Sequence, residues 1–176
     1  MPKTYSLNSG AKWPSDLSLV FLSHGAFKSN PALWNQVKKL VTESFEHHKS
    51  GKQSLESYVK AFMREKRGRK HALVIDRNRT VFAYWGGIPS ENRARQKFCW
   101  VGHLIIRPGN RIFGHVYSKI ASHLSGLGFK LIRGTRYTEI GFHAGAKMGG
   151  ENLGPTRKGR LNKNPKFSFF RHRLKP

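Results

Sequence analysis

An α/β chain, built on one central twisted mixed sheet flanked by helices, is what the sequence predicts, and three patterns predict it. Ala72–Ile75 and Thr80–Trp85 are apolar, β-branched and aromatic runs joined by the polar turn Asp76-Arg77-Asn78-Arg79, which reads as a hairpin. Phe98–Ile106, a helical segment and Phe129–Arg133 then follow as strand, helix and strand. That order argues a right-handed βαβ unit with parallel strands. Within it Phe113, Val116, Tyr117, Ile120, Leu124 and Leu127 share one stripe, and Gly128 stands where a C-terminal cap glycine belongs.

The remaining elements follow in order. Residues 1–16 are polar with Pro and Gly and read as a flexible lead-in to a single domain over 17–176. Ser18–Leu22 reads as a short strand. Asn30-Pro31 resembles a helix start, with Asn30 as cap and Pro31 in the first turn. Leu33, Val37, Leu40, Val41 and Phe45 then recur at helical spacing, and Leu55, Tyr58, Val59, Phe62 and Met63 form a second helical face. Gly86-Gly87 reads as the end of the hairpin and residues 88–97 as a basic loop. Thr138–Met148 reads as a short helix stopped by Gly149-Gly150, residues 151–166 as a loop without periodicity, and Phe167–Arg171 as a last strand. Within the basic C-terminal segment 151–176, Phe167 and Phe169 alternate so as to bury one face, which leaves a base-stacking role among the neighbouring cations as the other reading.

Composition bears on partners. The 176 residues hold 33 Lys and Arg against 9 Asp and Glu, a formal charge of +24. Such a field points to a polyanion, nucleic acid before an acidic protein or a membrane surface. The cations cluster at Arg64, Lys66, Arg67, Arg69 and Lys70, at Arg93, Arg95 and Lys97, and in a tail with Arg157, Lys158, Arg160, Lys163 and Lys166. Cys99 is the one cysteine, which excludes an internal disulfide and a cysteine-based zinc site and fits a reducing compartment. No metal-ligand constellation and no membrane-length apolar run is visible, so a cytoplasmic protein with no membrane partner is expected. Oligomeric state is not legible.

Residues 107–116, Arg-Pro-Gly-Asn-Arg-Ile-Phe-Gly-His-Val, carry the chemistry. They join an apolar strand to a helix through a tight basic loop. The first turn of a helix leaves backbone N–H groups without intrahelical partners, and its dipole favours an anion. Gly114 lets a ligand approach the backbone and Arg111 adds a permanent positive charge, which together make a phosphate-binding loop.

The order of elements and this loop resemble the GCN5-related N-acetyltransferase (GNAT) superfamily. Its cofactor signature, Arg/Gln-x-x-Gly-x-Gly/Ala between the fourth strand and the third helix, is matched by Arg111-Ile112-Phe113-Gly114-His115-Val116. Ile105-Ile106-Arg107-Pro108 is similar to the family's strand end and proline. The likeness runs through residues 18–174 in element order and is detailed over 98–150. It implies an acyl-CoA N-acyltransferase fold, with acetyl-CoA or another acyl-CoA as cofactor. The pyrophosphate would lie on residues 111–116 and the pantetheine between two splayed strands. A backbone N–H among Leu104, Ile105 and Ile106 would hold the thioester oxygen as charge builds on it.

The sequence departs from the family twice. Val116 stands where a second small residue is usual. The usual fourth-helix pattern ending in a tyrosine that protonates the thiolate aligns with Thr138, Gly141, Ala144 and Gly145, so that tyrosine is absent. His103, in the strand beside the expected thioester, is a candidate base, and Tyr137 and His143 are the nearest candidates to replace the tyrosine. His24 reads as a turn residue and Glu139 as an ion-pair partner. The acceptor implied is an amine of a nucleic acid, tRNA-linked or on a DNA or RNA base, or of a nucleic-acid-bound protein. Toxin-like and bacteriophage members of the family act in this way. The alternative is a non-catalytic protein of the same fold that binds nucleic acid, inhibits a host enzyme or is packaged in a virion.

Overall fold

The computed structural model describes residues 12–48, 53–64, 68–136, 146, 148–156 and 168–175. Seven strands form one sheet in the order β1-β2-β3-β4-β5-β7-β6. The strands are β1 (Leu17–Ser23), β2 (Lys70–Asp76), β3 (Val81–Glu91), β4 (Lys97–Ile106), β5 (Leu131–Arg136), β6 (Glu151–Pro155) and β7 (Ser168–Arg173). Every neighbouring pair is antiparallel except β4 and β5, which are parallel and joined by the helix α5 (Phe113–Gly126).

Two apolar layers close the faces of this sheet. On one side Ile112, Val116, Tyr117, Ile120 and Leu124 of the α5 stripe bury against Val74, Trp85, Cys99 and Ile132. On the other lie α1 (His24–Lys28), α2 (Pro31–Glu43), the short α3 (Phe45–His48) and α4 (Leu55–Met63). There Phe27, Val37, Leu40, Val41 and Tyr58 pack on Leu73, Tyr84 and Ile105. The helix starts are built as the sequence implies: the Asn30 side chain accepts from Leu33 N–H at 3.1 Å, and Pro31 occupies the first turn. Gly128 takes φ +81 beyond α5.

Several boundaries differ from the sequence reading. Gly86-Gly87 does not end β3, which runs on to Glu91, so the basic loop contracts to the turn between Glu91 and Lys97. These glycines serve close approach: a Cβ on Gly86 would lie 2.6 Å from the Tyr84 Oη, and one on Gly87 2.3 Å from the Trp85 ring. Gly128 and Phe129 close the end of α5, with Phe129 N–H donating to Leu124 C=O at 3.0 Å, and Lys130 N–H donates to Lys97 C=O at 2.9 Å, so β5 begins at Leu131. Residues 151–155, read as loop, form β6 against β7. His24 opens a five-residue helix capped by Ser23 instead of lying in a turn. In β7 the inward face is Ser168 and Phe170, while Phe169 points outward at 38% exposure, so Phe169 is not on the buried face. Phe167 and most of the expected 138–148 helix lie outside the described residues.

Trp13, within the expected lead-in, packs on the α5-side core and donates from its indole to Leu17 C=O at 2.7 Å. Among the described residues no helix is long and apolar enough to cross a membrane.

Candidate active site

The site starts from a bulge. Gly86 of β3 pairs with His103 and Gly87 pairs with Val101, so Gly102 is the extra residue on β4. At the same level the ladder between β4 and β5 stops, its last pair being Val101 and Gly134. Beyond it β4 continues to Ile106 on β3 alone, while β5 continues to Arg136 on β7. The two parallel strands therefore part, and a gap opens between them. A glycine between Val101 and His103 in an otherwise aromatic and β-branched strand is the signal that could have located this bulge.

Strand alternation fixes what faces the gap. Arg107 N–H donates to Phe82 C=O at 2.8 Å, across β3. Since successive backbone groups point to opposite edges, the N–H and C=O of Leu104 and Ile106 turn toward the gap, and those of Ile105 turn toward β3. The Leu104 and Ile106 side chains join the α5-side core, and Ile105 is buried on the α2 side.

The gap leads to the loop. Gly109 takes φ +81, Asn110 N–H donates to Arg107 C=O at 3.2 Å, and the Asn110 side chain donates to the same carbonyl. Arg107 is buried as an anchor, with Nε 3.6 Å from the Glu43 carboxylate and its guanidinium over the Phe82 ring. Arg111 remains exposed. Helix α5 starts at Phe113 with Ile112 at its cap position. It has no side-chain cap and no acid in its first turn, so the helix itself does not offset its positive end. Val116 points into the core at 1% exposure, so the bulk that replaces a small residue is turned away from the loop surface. A Cβ on Gly114 would make only an ordinary 3.7 Å contact with Met148 Sδ. A groove of about 700 Å³ continues along α5 between Tyr117, Ser118, Ala121, Lys130 and His172.

On the opposite face the bulge level carries a polar row. His71, Gly86 and His103 are consecutive cross-strand partners, so their side-chain positions share one face. The Tyr84 hydroxyl occupies the space over Gly86 and lies 2.9 Å from His71 Nδ1. His71 Nε2 lies 3.1 Å from His24 Nδ1. Burial, followed by the nearby His24 and Arg69 charges, pushes the His71 pKa down to about 3, so it is neutral. Burial pushes Tyr84 up to about 12 against the opposing influence of Arg69. Burial alone raises the Cys99 thiol to about 12, which keeps it inert.

Of the sequence-derived site residues, Leu104 and Ile106 turn their backbone groups to the gap and Arg111–Gly114 stand beyond the end of β4, while Ile105 turns its backbone to β3, Val116 turns into the core and His103 lies on the α2-side face. Tyr137 and His143 lie outside the described residues, as do Lys66, Arg67, Arg157, Lys158, Arg160, Lys163 and Lys166. Arg64, Lys70, Arg93, Arg95 and Lys97 are exposed. Arg69 departs from the surface reading: it is 3% exposed and hydrogen-bonded to Tyr84, so it offers no contact to an external polyanion. Sequence reasoning missed His71 and Tyr84, because only strand register places them beside His103.

No protein-family model matches the sequence, and no curated protein does. Solved structures match in fold. The Tetrahymena GCN5 crystal structure superposes with a TM-score of 0.64 at 13% identity, covering 90% of this chain and 97% of that one. An aminoglycoside 6′-acetyltransferase type Ii gives 0.61 at 14% identity, covering 89% and 98%. The aminoglycoside 6′-N-acetyltransferase from Enterococcus faecium gives 0.59 at 12%, covering 89% and 98%. What is shared at such identities is the course of the backbone, and by that course this chain has the fold of the GCN5-related N-acetyltransferases.

Proposed function

We propose that this chain is an acyl-CoA-dependent N-acyltransferase whose acceptor is an amine carried by nucleic acid or by a nucleic-acid-bound protein. The observation that carries the reading is the parting of β4 from β5 at Val101 and Gly134, with the Leu104 and Ile106 backbone groups in the gap and the Arg111–Val116 loop at its end. The fit to coenzyme A is chemical as well as spatial. The extended gap offers strand-like hydrogen bonding to a pantetheine arm. The uncapped α5 terminus and Arg111 suit a pyrophosphate.

Coenzyme A supplies an acyl thioester. The Leu104 or Ile106 N–H holds its carbonyl oxygen where negative charge develops. His103, half-buried at the bulge, takes the proton from the attacking amine. The acceptor reaches His103 from the α1–α2 side of the sheet. Lys70 precedes His71 in β2, and alternation turns its side chain to the α5 face, where its charge lies near His123, with Arg64 upstream on the same basic run. Lys97 lies six residues before His103 on β4, roughly 20 Å away at strand rise, with Arg93 and Arg95 in the turn before it. These exposed cations are available to a polyanion. The charge of +24 supports such a partner.

The test is mass spectrometry of total tRNA, duplex DNA and basic proteins after incubation with the chain and acetyl-CoA. A gain of one acetyl group on one class is the expected result. Absence of transfer to all three, with nucleic acid still bound, would replace this reading with the non-catalytic binding protein. Coenzyme A at a hundred times its dissociation constant is expected to stabilise the fold by about 2.7 kcal/mol.

A further inference from the structure

The acyl-transfer reading uses only the last member of the polar row, and the other members are ordered as well. A guanidinium donates and never accepts, so the Tyr84 oxygen accepts from Arg69. The Tyr84 proton then goes to His71 Nδ1 at 2.9 Å. A neutral imidazole that accepts at Nδ1 carries its proton on Nε2, and this donates to His24 Nδ1 at 3.1 Å. The donors thus run one way, from buried Arg69 through Tyr84 and His71 to His24 at the start of α1, whose second ring nitrogen, Nε2, is itself buried. The depressed pKa of His71 keeps a resting proton off its ring and so preserves this order.

The row also meets the site. The Tyr84 Oη stands 2.6 Å from where a Gly86 Cβ would be, and Gly86 is the direct partner of His103. Such partners lie about 5.5 Å apart between Cα atoms, which puts the hydroxyl within the span of an imidazole side chain. Glycine at position 86 is what makes room for the Tyr84 hydroxyl in this row.

We propose that Tyr84 is a positioning residue for His103 and that Tyr84, His71 and His24 form a path that draws the transferred proton from His103 to His24. The proposal rests on the acyltransferase reading. In the step it serves, the amine nitrogen bonds to the thioester carbonyl carbon and the C–S bond breaks with its electron pair on sulfur. The proton from nitrogen goes to His103. His103 N–H then donates to the Tyr84 oxygen as the Tyr84 proton passes to His71 Nδ1 and the His71 Nε2 proton passes to His24 Nδ1. One proton moves at each link, one positive charge arrives at His24, and nothing is oxidised.

The experiment compares the full chain with its Tyr84→Phe variant by NMR of labelled histidine rings at fixed pH. No acceptor is needed. The expected result is that the His71 and His103 signals move, while His172, bound to Tyr117 on the other face at 2.9 Å, stays. A second arm follows acetyl transfer from acetyl-CoA to the acceptor found above. There kcat is expected to fall about 10- to 100-fold, with the KM for acetyl-CoA unchanged. An unmoved His103 signal, or an unchanged kcat, overturns the proposal. His71→Asn is the second variant if Tyr84→Phe fails to fold, and there the expectation is a moved His103 signal and the same fall in kcat. A wild-type chain that transfers nothing breaks the acyltransferase reading, whereas the NMR arm still decides whether Tyr84 and His103 are coupled.

Discussion

The two faces of the sheet hold their halves of the candidate site by different means. On the α5 face the fixing force is apolar contact: Ile112, Val116, Ile120 and Leu124 interlock with Trp85, Cys99 and Ile132. On the α1–α2 face similar packing holds Val37, Leu40 and Val41, but at the bulge it gives way to Arg69, His71 and Tyr84. Apolar burial has no direction, so it sets where α5 and its loop stand without setting any proton. Hydrogen bonds have direction, so the opposite face sets tautomers. On the reading proposed above, one face places a ligand and the other a proton.

The largest expected effect breaks the first half. Ile120 is 1% exposed in the α5 stripe. Ile120→Ala is expected to cost about 2–5 kcal/mol in urea denaturation, because a cavity opens under the helix that carries the loop. A loss below 1 kcal/mol, of the order of a surface change, would show that α5 is not held by this interlock. Next comes the loop. Arg111 is exposed, so Arg111→Glu leaves the melting temperature in place while coenzyme A affinity drops about 10- to 100-fold by calorimetry, the range for a lost charged hydrogen bond. Unchanged affinity would remove the loop from the site.

The same contrast explains what the sequence discloses. The α5 stripe, the Asn30 cap, the Gly128 stop and the Arg111–Val116 loop are all local, and each was legible from spacing over a few residues. The bulge at Gly102 and the row of His24, His71, Tyr84 and His103 were not. Those residues lie far apart in sequence, and their meeting depends on which strand pairs with which and in what register. Gly86-Gly87 misled for a related reason. A glycine pair reads locally as a strand end, but here it accommodates the Tyr84 hydroxyl and the Trp85 ring within a continuing strand. The strand at 151–155 was hidden because its partner β7 supplies the hydrogen bonds, and a short polar strand at an edge needs no apolar pattern of its own.

A pH experiment sharpens the second half. His71 titrates near 6.5 in the unfolded chain and near 3 when folded. Between those values the unfolded chain binds more protons, so stability is full above about pH 6.5 and falls as pH drops toward 3. Glu151 is held below its usual 4.5 chiefly by the Arg171 hydrogen bond, and its contribution is lost only at lower pH. Burial also lowers His123 and His172, which share the window between those two onsets, so the His71 part is the difference between the parent and His71→Asn slopes. His71→Asn is expected to reduce the slope of the urea midpoints there, and an unchanged slope would assign it to the other histidines.

The smallest effect separates the two kinds of design most cleanly. Gly114 has ordinary helical φ and room for a methyl group, its Cβ position lying 3.7 Å from Met148 Sδ. Among the described residues nothing in the packing requires glycine at this point. Gly114→Ala is thus expected to leave stability unchanged or raise it by about 0.5–1 kcal/mol, since alanine loses less backbone entropy in a helix. Coenzyme A affinity is expected to move the other way, because the added methyl group stands on the first turn of α5 where the pyrophosphate must approach. A variant both more stable and weaker in binding would show that the glycine serves the ligand. A variant that binds as tightly as the parent would leave Arg111 and the α5 terminus to hold the phosphates without any need for close backbone approach.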